Sequence, residues 1–212
     1  MELEQIIKII KDNEAKILNI WSKNDWRFFK QYIFIKEKFL SNQIDEQFKG
    51  VFCSFYALNG AGGLNKPQKD EFFKILFDRE VDLEKILKRL YGVAGYRNKK
   101  KMFLSFSTKL IHTVNESLPI YDRNIAKILG LPNQTHFGSF EDKLKNRLSI
   151  YATLKEQFNK LLSNKEIKSI LLDFRKKLKN ETATQSIFNN TNITDSKLLD
   201  SILWTLYFSI FI

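Results

Sequence analysis

Apolar side chains recur along this chain at spacings of three and four residues and almost nowhere at two. Phe48, Val51, Phe52 and Phe55 form one stripe, Leu83, Ile86, Leu87 and Leu90 another, and Phe103, Phe106, Leu110 and Val114 a third. A strand throws successive side chains to opposite faces, so this period predicts helices and excludes a sheet as the scaffold. The same spacing runs through Phe72 to Phe77 after Pro67, through Ile125, Ile128 and Leu129, through Leu144 to Leu162, through Ile167 to Leu178 and through Leu198 to Leu206. Two more helices are expected around Ile6 to Ile20 and Trp26 to Leu40, which makes roughly nine or ten in an all-α fold. Gly60, Gly62 and Gly63 close one helix and Gly92 another, and Ser139 with Asp142 has the spacing of a capping box. The polar run 181–194, rich in Asn and Thr, reads as a linker to a closing C-terminal helix at 195–212. The whole of 1–212 is expected to be one unit with room for two lobes.

Hydrophobic residues make up 43% of the chain and Phe alone contributes 19, enough for a core without disulfide or metal. With only 8 Gly and 3 Pro, collagen-like, linker-like and disordered classes are excluded. Cys53 sits among Phe52, Phe55 and Tyr56, where it reads as a small buried hydrophobe. One cysteine and two histidines make no metal site, and no cofactor is expected. The stretch Met1 to Asp12 mixes Glu2, Glu4, Lys8 and Lys11 with isoleucines and does not read as a signal peptide. Ile202 to Ile212 is about half of what a membrane span needs. A cytoplasmic, monomeric protein without a membrane partner is the expectation.

Thirty-five Lys and Arg against 24 Asp and Glu leave a net charge of +11, a field that favours polyanions, duplex DNA first. Residues abundant here, Lys, Ile, Asn and Phe, share AT-rich codons, so compositional bias supplies part of that charge. The densest segment is Leu90 to Leu131. In it Gly92 and Gly95 form a turn between two helical patterns, followed by Arg97, Lys99, Lys100 and Lys101. Backbone N–H groups at a helix start beside cations make a phosphate cradle, whereas a helix cap followed by a solvated charge run is the structural alternative. Asp122 follows Pro119, Ile120 and Tyr121 and precedes the next helical pattern, a position that N-capping alone explains.

Taken together, these features resemble the helix-hairpin-helix DNA glycosylase superfamily. Leu90-Tyr91-Gly92-Val93-Ala94-Gly95 looks like that family's L-P-G-V-G hairpin, with Tyr91 in place of Pro and Ala94 additional. Tyr121-Asp122-Arg123-Asn124-Ile125 looks like its aspartate segment, and Leu199 to Trp204 is similar to the C-terminal helix that some members place beside the cleft. The resemblance covers 48–132 plus that last helix. It implies helices around a central cleft, duplex binding through Gly92, Gly95, Arg97, Lys99, Lys100 and Lys101, and excision of a damaged or modified base with Asp122 as the central catalytic group. The cysteine cluster that holds iron and sulfur in some members is missing. Lys99, Lys100, Lys101 and Lys109 all lie near the position of the Schiff-base lysine that members with lyase activity use, and Lys101 is taken as the candidate. A flipped base needs aromatic walls, for which Tyr91, Tyr96, Tyr121 and Trp204 are candidates. Two other readings stay open: a non-catalytic DNA-binding module of the same fold, such as a regulator or a defence-system subunit, and a helical protein-interaction scaffold. A hydrolase triad from Ser105 or Ser107, His112 and Asp122 lacks the flanking glycines of a nucleophile elbow.

Overall fold

Twelve α-helices and no strand make up the described residues, 1–60, 62–190 and 193–211, of the computed structural model. In chain order they are α1 (Leu3–Asp12), α2 (Glu14–Lys23), α3 (Arg27–Leu40), α4 (Glu46–Phe55), α5 (Lys66–Phe77), α6 (Leu83–Gly92), α7 (Leu104–Val114), α8 (Arg123–Leu129), α9 (Phe140–Ser163), α10 (Lys165–Asn180), α11 (Gln185–Asn190) and α12 (Asp195–Phe211), with a 3-10 turn at Tyr96–Asn98. The number exceeds the expected nine or ten for two local reasons. Asn13 splits the first apolar stripe into α1 and α2, because its side-chain amide donates to the Ile9 carbonyl at 2.9 Å and offers the backbone an alternative to a continuous helix. The polar run expected to be a linker contains α11, which buries Phe188 edge-on against Phe29 of α3 at 5.2 Å. Burying such a ring is worth about 1.5–3 kcal/mol, enough to hold one short helix in place. Residues 191 and 192 of that run lie outside the described residues.

Elsewhere the ends follow local chemistry. Asn65 and Gln68 form a capping box at the start of α5, with a proline in its first turn, and Ser139 with Asp142 caps α9 in the same way. Asp45 and Asp82 cap α4 and α6. The centre of the molecule is α12, buried without interruption from Ser196 to Leu203 and packed against α1, α2, α8, α9 and α10. A helix apolar nearly all round must be enclosed. Trp21 of α2 ties into it by donating from its indole to the Thr205 hydroxyl at 2.7 Å. No described helix is long and apolar enough to cross a membrane.

The hairpin region departs from the expected helix start. Helix α6 runs to Gly92, Val93 and Gly95 are extended, and α7 begins only at Leu104, so the basic residues occupy a loop. The run from Asn98 to Lys101 carries no apolar residue with which a helical stripe could dock, and in a helix Arg97 would repel Lys100 and Lys101 at i+3 and i+4. The loop is held instead by α5: the Asn65 side chain donates to the Ala94 carbonyl at 3.1 Å, and Gln68, fully buried, donates to the Val93 carbonyl at 3.2 Å. At Gly95 a Cβ would lie 2.9 Å from the Lys99 carbonyl oxygen and 3.0 Å from the Gln68 amide nitrogen, so only glycine admits this approach. Across from it, a Cβ on Gly63 would lie 2.1 Å from the Leu58 carbonyl oxygen, which fixes the tight loop that follows α4.

Candidate active site

Five segments far apart in sequence meet at one pocket of about 160 Å³. The start of α3 contributes Phe28, the end of α4 contributes Phe55 and Tyr56, α7 contributes Lys109, the approach to α8 contributes Ile120 and Asp122, and α12 contributes Lys197, Asp200 and Trp204. The α12 residues stand at i, i+3 and i+7, on one face of the helix. Two lysines and two carboxylates therefore share a pocket whose other walls are mainly aromatic, with Ile120 and Ala57 completing them.

Asp122 is the N-cap of α8, and its carboxylate accepts from the Asn124 N–H at 2.8 Å. It lines the pocket as well as capping the helix. Burial pushes its pKa up, opposed by the Asn124 N–H and by the nearby Lys109 charge. Lys109 forms no ion pair among the described residues; its amine donates to the Tyr56 carbonyl at 3.1 Å, at the C-terminal end of α4, and lies 5.3 Å from the centre of the Phe106 ring. Burial pulls its pKa down, against the pull of Asp122 and Asp200, and the Lys197 charge adds to the lowering. The shifts bring the two groups' proton affinities closer, so a proton passes between amine and carboxylate at smaller cost than in water.

Lys197 is 1% exposed and bound to Asp200 at 2.7 Å. Its ammonium faces the rings of Phe28, Tyr32 and Phe55 at 4.8, 5.1 and 5.7 Å, an aromatic box that partly replaces lost water. Behind it sits His112, completely buried. Its Nδ1 is 2.7 Å from the Leu118 carbonyl oxygen, and since a carbonyl only accepts, Nδ1 carries the proton. Nε2 has no hydrogen-bond partner among the described residues. Burial, with the Lys197 charge next, pushes this imidazole down to about 3 from 6.5. The unfolded chain binds that proton near 6.5 while the folded chain does not until about 3, so the stability present above 6.5 is lost as pH falls toward 3. Urea unfolding should register that loss between pH 7 and 5, at up to about 1.4 kcal/mol per pH unit from this group, and His112→Phe should flatten it.

A second concavity, about 490 Å³, separates Gly60, Gly62 and Gly63 from the basic loop and is lined by Gly95, Tyr96, Arg97, Lys99 and Lys101. Tyr96 is 78% exposed there, under the Arg97 guanidinium. None of Arg97, Lys99, Lys100 and Lys101 pairs with an acidic side chain among the described residues. Arg97 and Asn98 both adopt left-handed backbone, at φ 55° and 59°, and the turn is closed by Gly95 N–H donating to the Lys99 carbonyl. The Gly95 amide is thus already engaged, and the cations rather than that amide are free to meet an anion. Phe103, the residue before α7, lines this groove and Lys109 of α7 the pocket, about 9 Å of helix rise apart.

The structure therefore separates residues that lie together in the sequence. Lys101 belongs to the groove, whereas Lys109 stands beside Asp122. Among the aromatic candidates Trp204 lines the pocket and Tyr96 the groove. Tyr121 is buried in the core, its backbone N–H donating to the Thr108 hydroxyl, and Tyr91 packs on Phe140 of α9 with the Lys100 ammonium above it. Gly92 ends α6 with open space around its Cα. Sequence reasoning missed Lys197 and Asp200 as pocket residues, although two charges three apart in an otherwise apolar helix were the available signal. No group of His, Cys, Asp or Glu among the described residues could hold a metal ion. Comparison with protein-family models, with curated proteins and with solved structures returns no match.

Proposed function

We propose that this protein binds duplex DNA and excises a damaged or modified base by cleaving its N-glycosidic bond, with Lys109 as nucleophile and Asp122 as the charge that steadies the sugar. The observation that carries the reading is the presence of a half-buried lysine and a half-buried carboxylate in the lining of one pocket rich in aromatic rings, a helix-length step from an unpaired basic groove. In this scheme the groove cations hold the phosphate backbone and a flipped nucleotide enters beside Trp204. The free-amine form of Lys109 attacks C1′ while the C1′–N bond breaks, and the base leaves with the bonding pair and takes its proton from water. Asp122 stabilises positive charge on the sugar and then accepts the proton released from the lysine nitrogen. Asp122 returns that proton to the ring oxygen as the C1′–O4′ bond breaks, which leaves an iminium that water hydrolyses or that a lyase step resolves.

The test is a panel of duplexes, each with one modified base, incubated with the protein and borohydride. One lesion should yield a covalent protein–DNA adduct and, without reductant, alkali-labile abasic sites. The role of Asp122 as the α8 cap favours a second reading, a DNA-binding module without chemistry; duplex binding with neither adduct nor abasic sites across the panel would select it. Phosphate binding in the groove has its own signature. Arg97→Gln, Lys99→Gln and Lys101→Gln together should weaken binding to any duplex alike, and flatten the dependence of log K on log salt by roughly 0.9 for each phosphate no longer neutralised. An unchanged slope would make the groove ordinary solvated surface.

A further inference from the structure

Stability does not explain the Lys197–Asp200 pair. A buried ion pair is on average no better than well-packed apolar side chains, because both charges leave water, and this one sits in the most enclosed helix of the molecule. Both members also line the pocket that holds Lys109. The charged and titratable groups facing Lys109 are few: Asp122 ahead of α8, Tyr56 on α4, and Lys197 and Asp200 on α12. Those facing Lys197 beyond Asp200 are Tyr32 on α3 and neutral His112 on α7, on which the Lys36–Glu116 pair acts in turn.

We propose that Lys197 is a positioning residue for the reaction at Lys109: by engaging Asp200 it keeps that carboxylate from holding Lys109 as an ammonium, and so leaves the amine free to attack. The geometry sets this up in two ways. Asp200 is committed to Lys197 at 2.7 Å, while Lys109 points its hydrogen bond at a neutral carbonyl, that of Tyr56. The aromatic box around Lys197 fixes its ammonium without adding a further anion, so the pair meets Lys109 as a neutral unit with its positive member already buried. Without Lys197 the pocket would hold two carboxylates and one cation, and Lys109 would stay protonated between them.

The inference rests on the reading of Lys109 as a nucleophile, and its test is made independent of DNA. Trace acetylation by acetic anhydride, read by peptide mass spectrometry across pH, reports the free-amine fraction of Lys109. In Lys197→Met, labelling of Lys109 at neutral pH should fall on the order of tenfold and its profile move to higher pH, the effect of one unpaired carboxylate at close range. In Lys197→Met with Asp200→Asn, which removes both charges, the profile should return to within about threefold of the parent. Should the single variant not fold, Asp200→Asn decides: labelling at or above the parental level agrees, and a decrease overturns the proposal by making Asp200 the group that frees the amine. A folded K197M with parental labelling overturns it as well. Borohydride capture of an abasic duplex by the same proteins should follow the labelling. If labelling shifts as expected and even the parent forms no adduct, the glycosylase reading fails while this one stands.

Discussion

Lys109→Gln should abolish borohydride capture of abasic DNA and lower base excision by on the order of a thousandfold, as expected when the one attacking nitrogen is removed. Glutamine keeps an N–H that reaches toward the Tyr56 carbonyl, so the hydrogen bond now made at 3.1 Å has a replacement donor. The variant also removes a cation that burial disfavours, so unfolding by urea should occur at the parental midpoint or slightly above it. Gel analysis of the captured adduct, with a thermal melt of each protein, checks both halves. Lys101→Gln is the matched control: that side chain lies in the groove, and its loss should reduce duplex affinity while capture at saturating DNA stays parental. Capture that survives Lys109→Gln and disappears with Lys101→Gln would move the nucleophile out of the pocket.

Asp122→Asn separates capping from catalysis at a single atom. The amide oxygen still accepts from the Asn124 N–H at the start of α8, so as a cap the substitution should cost at most a few tenths to about 1 kcal/mol. Burial already works against the carboxylate here, which reduces that cost further. Excision should nevertheless drop on the order of a hundredfold to ten-thousandfold, because the cationic sugar loses its counter-charge and the lysine nitrogen its proton acceptor. Duplex affinity should equal or exceed the parent's, since one repulsion with phosphate is gone. Single-turnover rates on the lesion identified by the panel, beside filter-binding affinities, measure the two effects separately. A near-parental excision rate would leave Asp122 as a cap only.

Local rules reached far along this chain. The stripes at Phe48 to Phe55 and Leu83 to Leu90 became α4 and α6, the Ser139–Asp142 spacing became a capping box, and Asp122 took the N-cap its position ahead of Ile125 required. Each is decided by groups within one or two turns of backbone, which is why spacing and residue type suffice to read them. The same rules failed at Asn13, where a side-chain amide competing for a carbonyl outweighed an unbroken apolar stripe, and after Gly95, where a charged run with nothing to bury stayed out of α7.

The pocket belongs to another scale. Phe28, Tyr56, Lys109, Asp122 and Asp200 come together only because α12, packed on α8, shares the lining of one pocket with α3, α4 and α7. Four lysines near one another in sequence are equivalent to any argument from spacing. What separates Lys109 from Lys101 is that α7 begins at Leu104, so the first lies on a helix face turned to the core and the second in the solvent-exposed loop before it. The amphipathic pattern of α7 marks which face is buried but not which neighbour covers it, and the charge environment of a buried amine is set by that neighbour. Periodicity and composition therefore carried the helices, their caps and the basic character of the chain. The placing of Lys109 and Asp122 in one pocket with Lys197 and Asp200 required the long-range packing that brings charges from distant segments together.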